Sequence, residues 1–87
     1  MNDVLKRLRM RSWRRGMKEM DLILGPWADQ HLADLSEDTV AIYDKILLEN
    51  DQDLLAWMLG QREIPEGPMK PLLAQIAIFA RERFRGA

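Results

Sequence analysis

Met17-Lys-Glu-Met-Asp-Leu-Ile-Leu-Gly-Pro-Trp-Ala-Asp-Gln-His31 is the stretch whose spacing sets the fold class. Met20, Ile23, Leu24, Trp27, Ala28 and His31 recur at the three- and four-residue intervals that line one face of a helix. Gly25-Pro26 interrupts the pattern. A proline inside a helix removes one amide donor and crowds the preceding turn, so a kink, or a break into two short helices, is predicted there. His31 lies on the apolar stripe and reads as a helix-end or core-edge histidine.

Outward from this stretch the spacing stays helical, and no segment alternates like a strand. Towards the N-terminus a short helix is predicted over about residues 3–13, with Val4, Leu5 and Leu8 on one face and Gly16 as punctuation. Towards the C-terminus, Ser36 is a good N-cap, with Glu37 and Asp38 in the first turn against the macrodipole. Leu35 and Val40 are placed to form a hydrophobic staple. That helix should fade near Glu49-Asn50. Asp51 is read as the cap of a fourth helix carrying Leu54, Leu55, Met58 and Leu59, with Gly60 as its C′ residue. Glu63 to Gly67 is a loop. A last helix begins near Pro68, with Pro71 in its first turn, and Leu72, Leu73, Ile76, Ala77, Ala80 and Phe84 on its core face. Its basic tail, Arg81 to Arg85, is expected to fray. The fold predicted is all-α: a compact antiparallel bundle of about five short helices in one domain spanning 1–87.

The chain has 87 residues and no cysteine. A domain of this size buries only about 60–65% of its unfolded surface and has little volume for an enclosed substrate pocket. Disulfides, thiolate catalysis and cysteine zinc sites are excluded. No apolar run approaches the roughly 20 residues that span a bilayer. The N-terminal charges are followed by no apolar signal-peptide core. Asp3 and the scarcity of serine count against a transit peptide.

The net charge of −1 conceals an asymmetry. Residues 1–15 carry a net of +5, residues 16–63 a net of −8 and residues 64–87 a net of +2. A basic lip beside an acidic body orients a partner during encounter.

Catalytic inventory is thin. The only serines are Ser12 and Ser36 and the only histidine is His31. Asp51 and Asp53 resemble the opening of an EF-hand loop, but Ala56 stands where that loop needs glycine. The five glycines fit no phosphate-binding fingerprint. A catalytic role for the chain is therefore not expected.

The basic stretch is more open. Lys6, Arg7, Arg9, Arg11, Arg14 and Arg15 surround Trp13, a composition suited to phosphate contact and base stacking. The acidic body and the lack of a nucleic-acid-binding motif count against that use. A docking surface for another protein remains, in which Arg11, Trp13, Arg14 and Met17 join Arg15 and Gly16. Arg15-Gly16-x-x-Glu19 has two accounts. With Gly16 as N-cap, Glu19 is N3 of a capping box and glycine relieves any positive φ. Alternatively Gly16 admits a partner backbone, Arg15 offers a bidentate fork and Glu19 a complementary charge. From these residues alone both accounts stand.

Arg15-Gly-Met-Lys-Glu19 resembles the RGxxE motif of the SdhE family, small assembly factors that promote covalent FAD attachment to succinate dehydrogenase. Asp21 and the run Leu22-Ile-Leu-Gly-Pro-Trp-Ala-Asp29 reinforce the resemblance. So does Leu47-Leu-Glu-Asn-Asp-Gln-Asp-Leu-Leu-Ala-Trp57, which is similar to the family's LLxxxDxDLxxW segment. The resemblance covers roughly residues 5 to 80. It implies a five-helix bundle that binds the flavoprotein subunit of succinate dehydrogenase, and in some bacteria of fumarate reductase. FAD would become linked to a histidine of that partner, and this chain would hold no cofactor tightly. Arg15, Gly16, Glu19 and Asp21 carry over as the contact motif. A bacterial cytoplasmic protein is implied, with no membrane insertion and no nucleic-acid partner. Family members have also carried an antitoxin label, which nothing in these residues supports.

Overall fold

The computed structural model describes residues 2–85. Five α-helices form the fold: α1 Asp3–Trp13, α2 Lys18–His31, α3 Glu37–Ile46, α4 Asp51–Met58 and α5 Lys70–Arg85, with a 3₁₀ turn at Leu32–Asp34 between α2 and α3. No strand occurs among the described residues, as the unbroken helical spacing requires. No helix among them is long and apolar enough to cross a membrane.

Local signals set most boundaries. Asn2 caps α1, its side chain accepting the Leu5 amide at 2.9 Å. Ser36 caps α3 through the Thr39 amide. Both satisfy amides that a helix start leaves orphaned. Gly60 ends α4 with φ of 75°. The Gly60 amide bonds the Trp57 carbonyl and the Gln61 amide bonds Ala56, the paired bonds of a Schellman stop.

Three expectations are corrected. The break into two helices at Gly25-Pro26 does not occur: α2 is continuous from Lys18 to His31. Both Gly25 and Pro26 are buried, so packing on each side of the missing amide bond holds the helix together. α3 ends at Ile46 and passes through a turn before Asn50. Asn50, not Asp51, caps α4: its side chain accepts the amides of Gln52 and Asp53. Asp51 is the first helical residue, which leaves its carboxylate available elsewhere.

The core lies where α2 meets the other helices. Met20, Ile23, Leu24, Trp27 and Ala28 of α2 are all buried, with Tyr43 and Ile46 of α3, Leu54 and Met58 of α4, and Leu73, Ile76 and Ala80 of α5. Trp27 stacks on Tyr43 at 5.1 Å between ring centroids. His31 is exposed, its ring against Trp27 and edge-on to Phe79. One buried polar chain joins α1 to α3. The Ser12 hydroxyl donates to the Leu8 carbonyl at 2.7 Å, so the Tyr43 hydroxyl must donate to Ser12 Oγ, 2.5 Å away. Burial pushes the Tyr43 phenol up to about 12, against smaller opposing effects of the Arg15 and Arg11 charges. Phe84 lies within α5, but its side chain falls outside the described residues.

Candidate docking site

α1 and α2 run antiparallel, with Arg9 opposite Asp29 and Trp13 opposite Gly25. The connector from Arg14 to Met17 therefore sits at one end of the helix pair. Three side chains fix its course. Arg15 Nε donates to Asp51 Oδ1 at 2.7 Å, Nη1 to the Leu47 carbonyl at 2.7 Å and Nη2 to the Glu49 carbonyl at 3.0 Å. Asp51 Oδ2 accepts the Gly16 amide at 2.9 Å. Asp21, one turn into α2, accepts the Arg15 amide. The guanidinium thus satisfies two carbonyls of the turn between α3 and α4, and one carboxylate binds consecutive residues of the connector.

This ion pair differs in kind from the others. The Arg15 and Asp51 side chains are 10% and 17% exposed, against 52% and 34% for Arg9–Asp29. Exposed pairs are screened and contribute about 0–1 kcal/mol. A pair removed from water but rich in hydrogen bonds is expensive to break, because one charge is left stranded.

The predicted residues fall into two groups. Arg15 and Asp21 face inward, as supports. Arg11 also turns away from the connector, to Asp44 of α3 at 2.7 Å. Met17 is half-buried against the core. Arg14, Gly16 and Glu19 are exposed, and Trp13 remains 39% exposed. Neither Arg14 nor Glu19 makes an ion pair or side-chain hydrogen bond among the described residues. Half of the basic residues of the N-terminal stretch, Arg9, Arg11 and Arg15, are neutralised by internal carboxylates, which weakens the case for a phosphate-binding ridge.

The capping-box account of Gly16 and Glu19 does not hold. Met17 is the N-cap of α2, with no side-chain cap bond, so Glu19 is N2 and not N3. Gly16 is not among the glycines with positive φ. A Cβ on it would meet only Asp51 Oδ2, at an ordinary contact distance of 3.5 Å. Neither the missing side chain at 16 nor the carboxylate at 19 is demanded by the fold.

Asp51 was missed as a site residue because a carboxylate at a helix start has a sufficient local explanation. Its true partners lie 35 and 36 residues away, and no short-range pattern marks them.

The chain matches the model of the flavinator of succinate dehydrogenase, Sdh5, over residues 6–80. That is most of its length. The chain belongs to the succinate dehydrogenase flavinator family. Within this family it is 32% identical over 73 residues to the FAD assembly factor SdhE of Idiomarina loihiensis, covering 82% of this chain and 81% of that one. It is 38% identical over 68 residues to the FAD assembly factor SdhE of Legionella pneumophila, covering 78% and 80%. It is 40% identical over 62 residues to the mitochondrial succinate dehydrogenase assembly factor 2 of Drosophila grimshawi, where it spans 42% of that longer protein. No solved structure matches the chain. The flavinator match includes the whole of the Arg15–Asp51 clamp.

Proposed function

We propose that this chain is a non-catalytic assembly factor that docks on the flavoprotein subunit of succinate dehydrogenase and promotes covalent attachment of FAD to it. The observation that carries the site is the division of labour at the connector. Arg15, Asp21 and Asp51 immobilise it through side chains and the Gly16 amide, while the missing side chain of Gly16 and the Glu19 carboxylate just beyond it face outward and are not demanded by the fold. A rigid, side-chain-free position beside a carboxylate with no ion-pair partner among the described residues is what close backbone approach and charge recognition by a partner need.

The chain brings no nucleophile to the reaction. Its part is to bind the conformer in which the partner's histidine meets the flavin, and FAD stays with the partner. Raising such a conformer from 1% to equal population needs about 2.7 kcal/mol of differential binding, within reach of a small interface. Release must follow, so moderate affinity suits the task. Action on a newly made, unassembled subunit places the chain in the bacterial cytoplasm. The family and its mitochondrial relative are named for succinate dehydrogenase, so the fumarate reductase flavoprotein stays outside the proposal.

The test is reconstitution. Purified apo flavoprotein subunit is incubated with FAD, with and without the chain, and covalent flavin is read by fluorescence in a denaturing gel. Faster or fuller flavinylation with the chain supports the proposal. Equal rates refute it, as does turnover of any substrate by the isolated chain.

A further inference from the structure

Gly25 has a structural reason that extends the docking surface. The Trp13 indole lies directly on it: a Cβ at Gly25 would fall 2.3–2.6 Å from three ring carbons. Trp13 Nε1 donates to Asp29 Oδ1 at 3.3 Å, the same oxygen that accepts Arg9 Nε at 2.6 Å. The ring is held in place yet stays 39% exposed. Two other large apolar residues of the same helix pair are exposed, Met10 of α1 at 52% and Leu22 of α2 at 37%.

Helix spacing joins them. Met10 stands one turn before Trp13 on α1. Leu22 stands one turn before Gly25 on α2, and one turn after Glu19. Residues three apart are surface neighbours on a helix. The apolar step therefore runs from Met10 across Trp13 to Leu22 and meets the Glu19 side of the connector. Two exposed cations flank it, Arg14 four residues after Met10 and Lys18 four before Leu22, and neither is ion-paired among the described residues. A tryptophan already fixed in one rotamer loses little entropy on binding, and aromatic residues dominate interface energetics.

We propose that Met10, Trp13 and Leu22 form an apolar half of the docking surface that seats an apolar patch edged with carboxylates on the succinate dehydrogenase flavoprotein subunit. This rests on the function proposed above. Continuity with Glu19 assigns the step to the same partner. Arg14 and Lys18 at its edge give that partner patch its carboxylate rim. Gly25 fixes the height of the step.

The test titrates purified apo flavoprotein subunit with wild type, Trp13→Ala, Leu22→Ser, Gly25→Ala and the Trp13→Ala/Gly25→Ala double variant, each checked for folding by thermal melt. Trp13→Ala and Leu22→Ser should each weaken binding at least tenfold. Gly25→Ala should do the same and shift tryptophan emission to the red, because the indole is displaced. In the Trp13→Ala background Gly25→Ala should add no further loss, since no ring remains to displace. Salt should weaken wild-type binding more than binding by an Arg14→Ala/Lys18→Ala variant. Binding within twofold of wild type by folded Trp13→Ala and Leu22→Ser overturns the proposal and leaves the function standing. Where Trp13→Ala does not fold, Leu22→Ser decides alone. Absence of any wild-type binding overturns the function itself. Wild-type self-association that Leu22→Ser abolishes assigns the step to a second copy and also overturns the proposal.

Discussion

Arg15 and Asp51 are 36 residues apart in sequence and 2.7 Å apart in space, and their contact is the fastening on which the surface motif depends. The guanidinium also takes two carbonyls of the α3–α4 turn, and the second carboxylate oxygen takes the Gly16 amide. Arginine at position 15 is therefore engaged within its own fold.

Removing the carboxylate tests this. Asp51→Ala leaves Arg15 charged in a site only 10% exposed, with two carbonyls for company. The expected loss is about 2–3 kcal/mol. For a domain of this size that is a fall in Tm of about 10–20 °C. Arg15→Lys should also destabilise, because an ammonium cannot reproduce the planar fork that reaches three acceptors. Calorimetry or thermal circular dichroism checks both. An unchanged Tm for Asp51→Ala would mean the contact is ornamental.

Gly16→Ala separates the surface from its support. The position has room for a methyl and no positive φ. A glycine-to-alanine change at a compatible site stabilises by about 0.4–1 kcal/mol through the unfolded state. The variant should therefore melt at or a few degrees above the wild-type temperature, while binding to the flavoprotein subunit falls because a partner backbone can no longer approach. Coupled melts and titrations decide it. Full binding by Gly16→Ala would remove the close-approach role.

Glu19→Gln isolates the charge. At N2 the carboxylate gains only its interaction with the helix dipole, about 0.3–1 kcal/mol when exposed. Its loss should lower Tm by a few degrees at most and reduce covalent flavinylation of the partner severalfold. A normal flavin yield would return Glu19 to the role of helix-end carboxylate.

Tyr43 predicts an alkaline limit. Its phenol is pushed up to about 12 in the folded chain, against 10 when unfolded. Above pH 10 the unfolded chain has given up this proton and the folded one has not, so stability falls as pH rises from 10 to about 12. The loss approaches about 3 kcal/mol. Tyr43→Phe should flatten that slope, while costing about 1 kcal/mol at neutral pH for the lost hydrogen bond to Ser12. Denaturant unfolding at pH 8, 10 and 11.5 checks both effects.

What could be read from the sequence divides along chain distance. The bounds of α1, the Ser36 cap, the Gly60 stop and the buried stripe of α2 follow from residues within a turn or two of one another, where the governing physics is local. The failures were of two kinds. Some were local rules overridden by packing: α2 continues through Pro26 because the buried surface on both sides outweighs one missing amide bond. Others were tertiary contacts with no local trace. Asp51 looked like a cap because caps are often carboxylates, and Asn50 had already filled that role. Gly25 looked like a helix breaker, and only the placement of Trp13 against it shows why the position has no side chain. The motif at 15–19 was conspicuous in the sequence. Which of its residues face inward was not, because Arg15 is hidden by partners from α4 and the turn before it.

The most direct measurement is the covalent flavin content of succinate dehydrogenase in cells from which the gene for this chain has been deleted, compared with cells complemented by wild type or by Glu19→Gln. The account predicts a flavoprotein subunit with little or no covalent flavin after deletion, restored by the wild-type chain and poorly by Glu19→Gln. A full complement of covalently bound flavin in the deleted strain would contradict it.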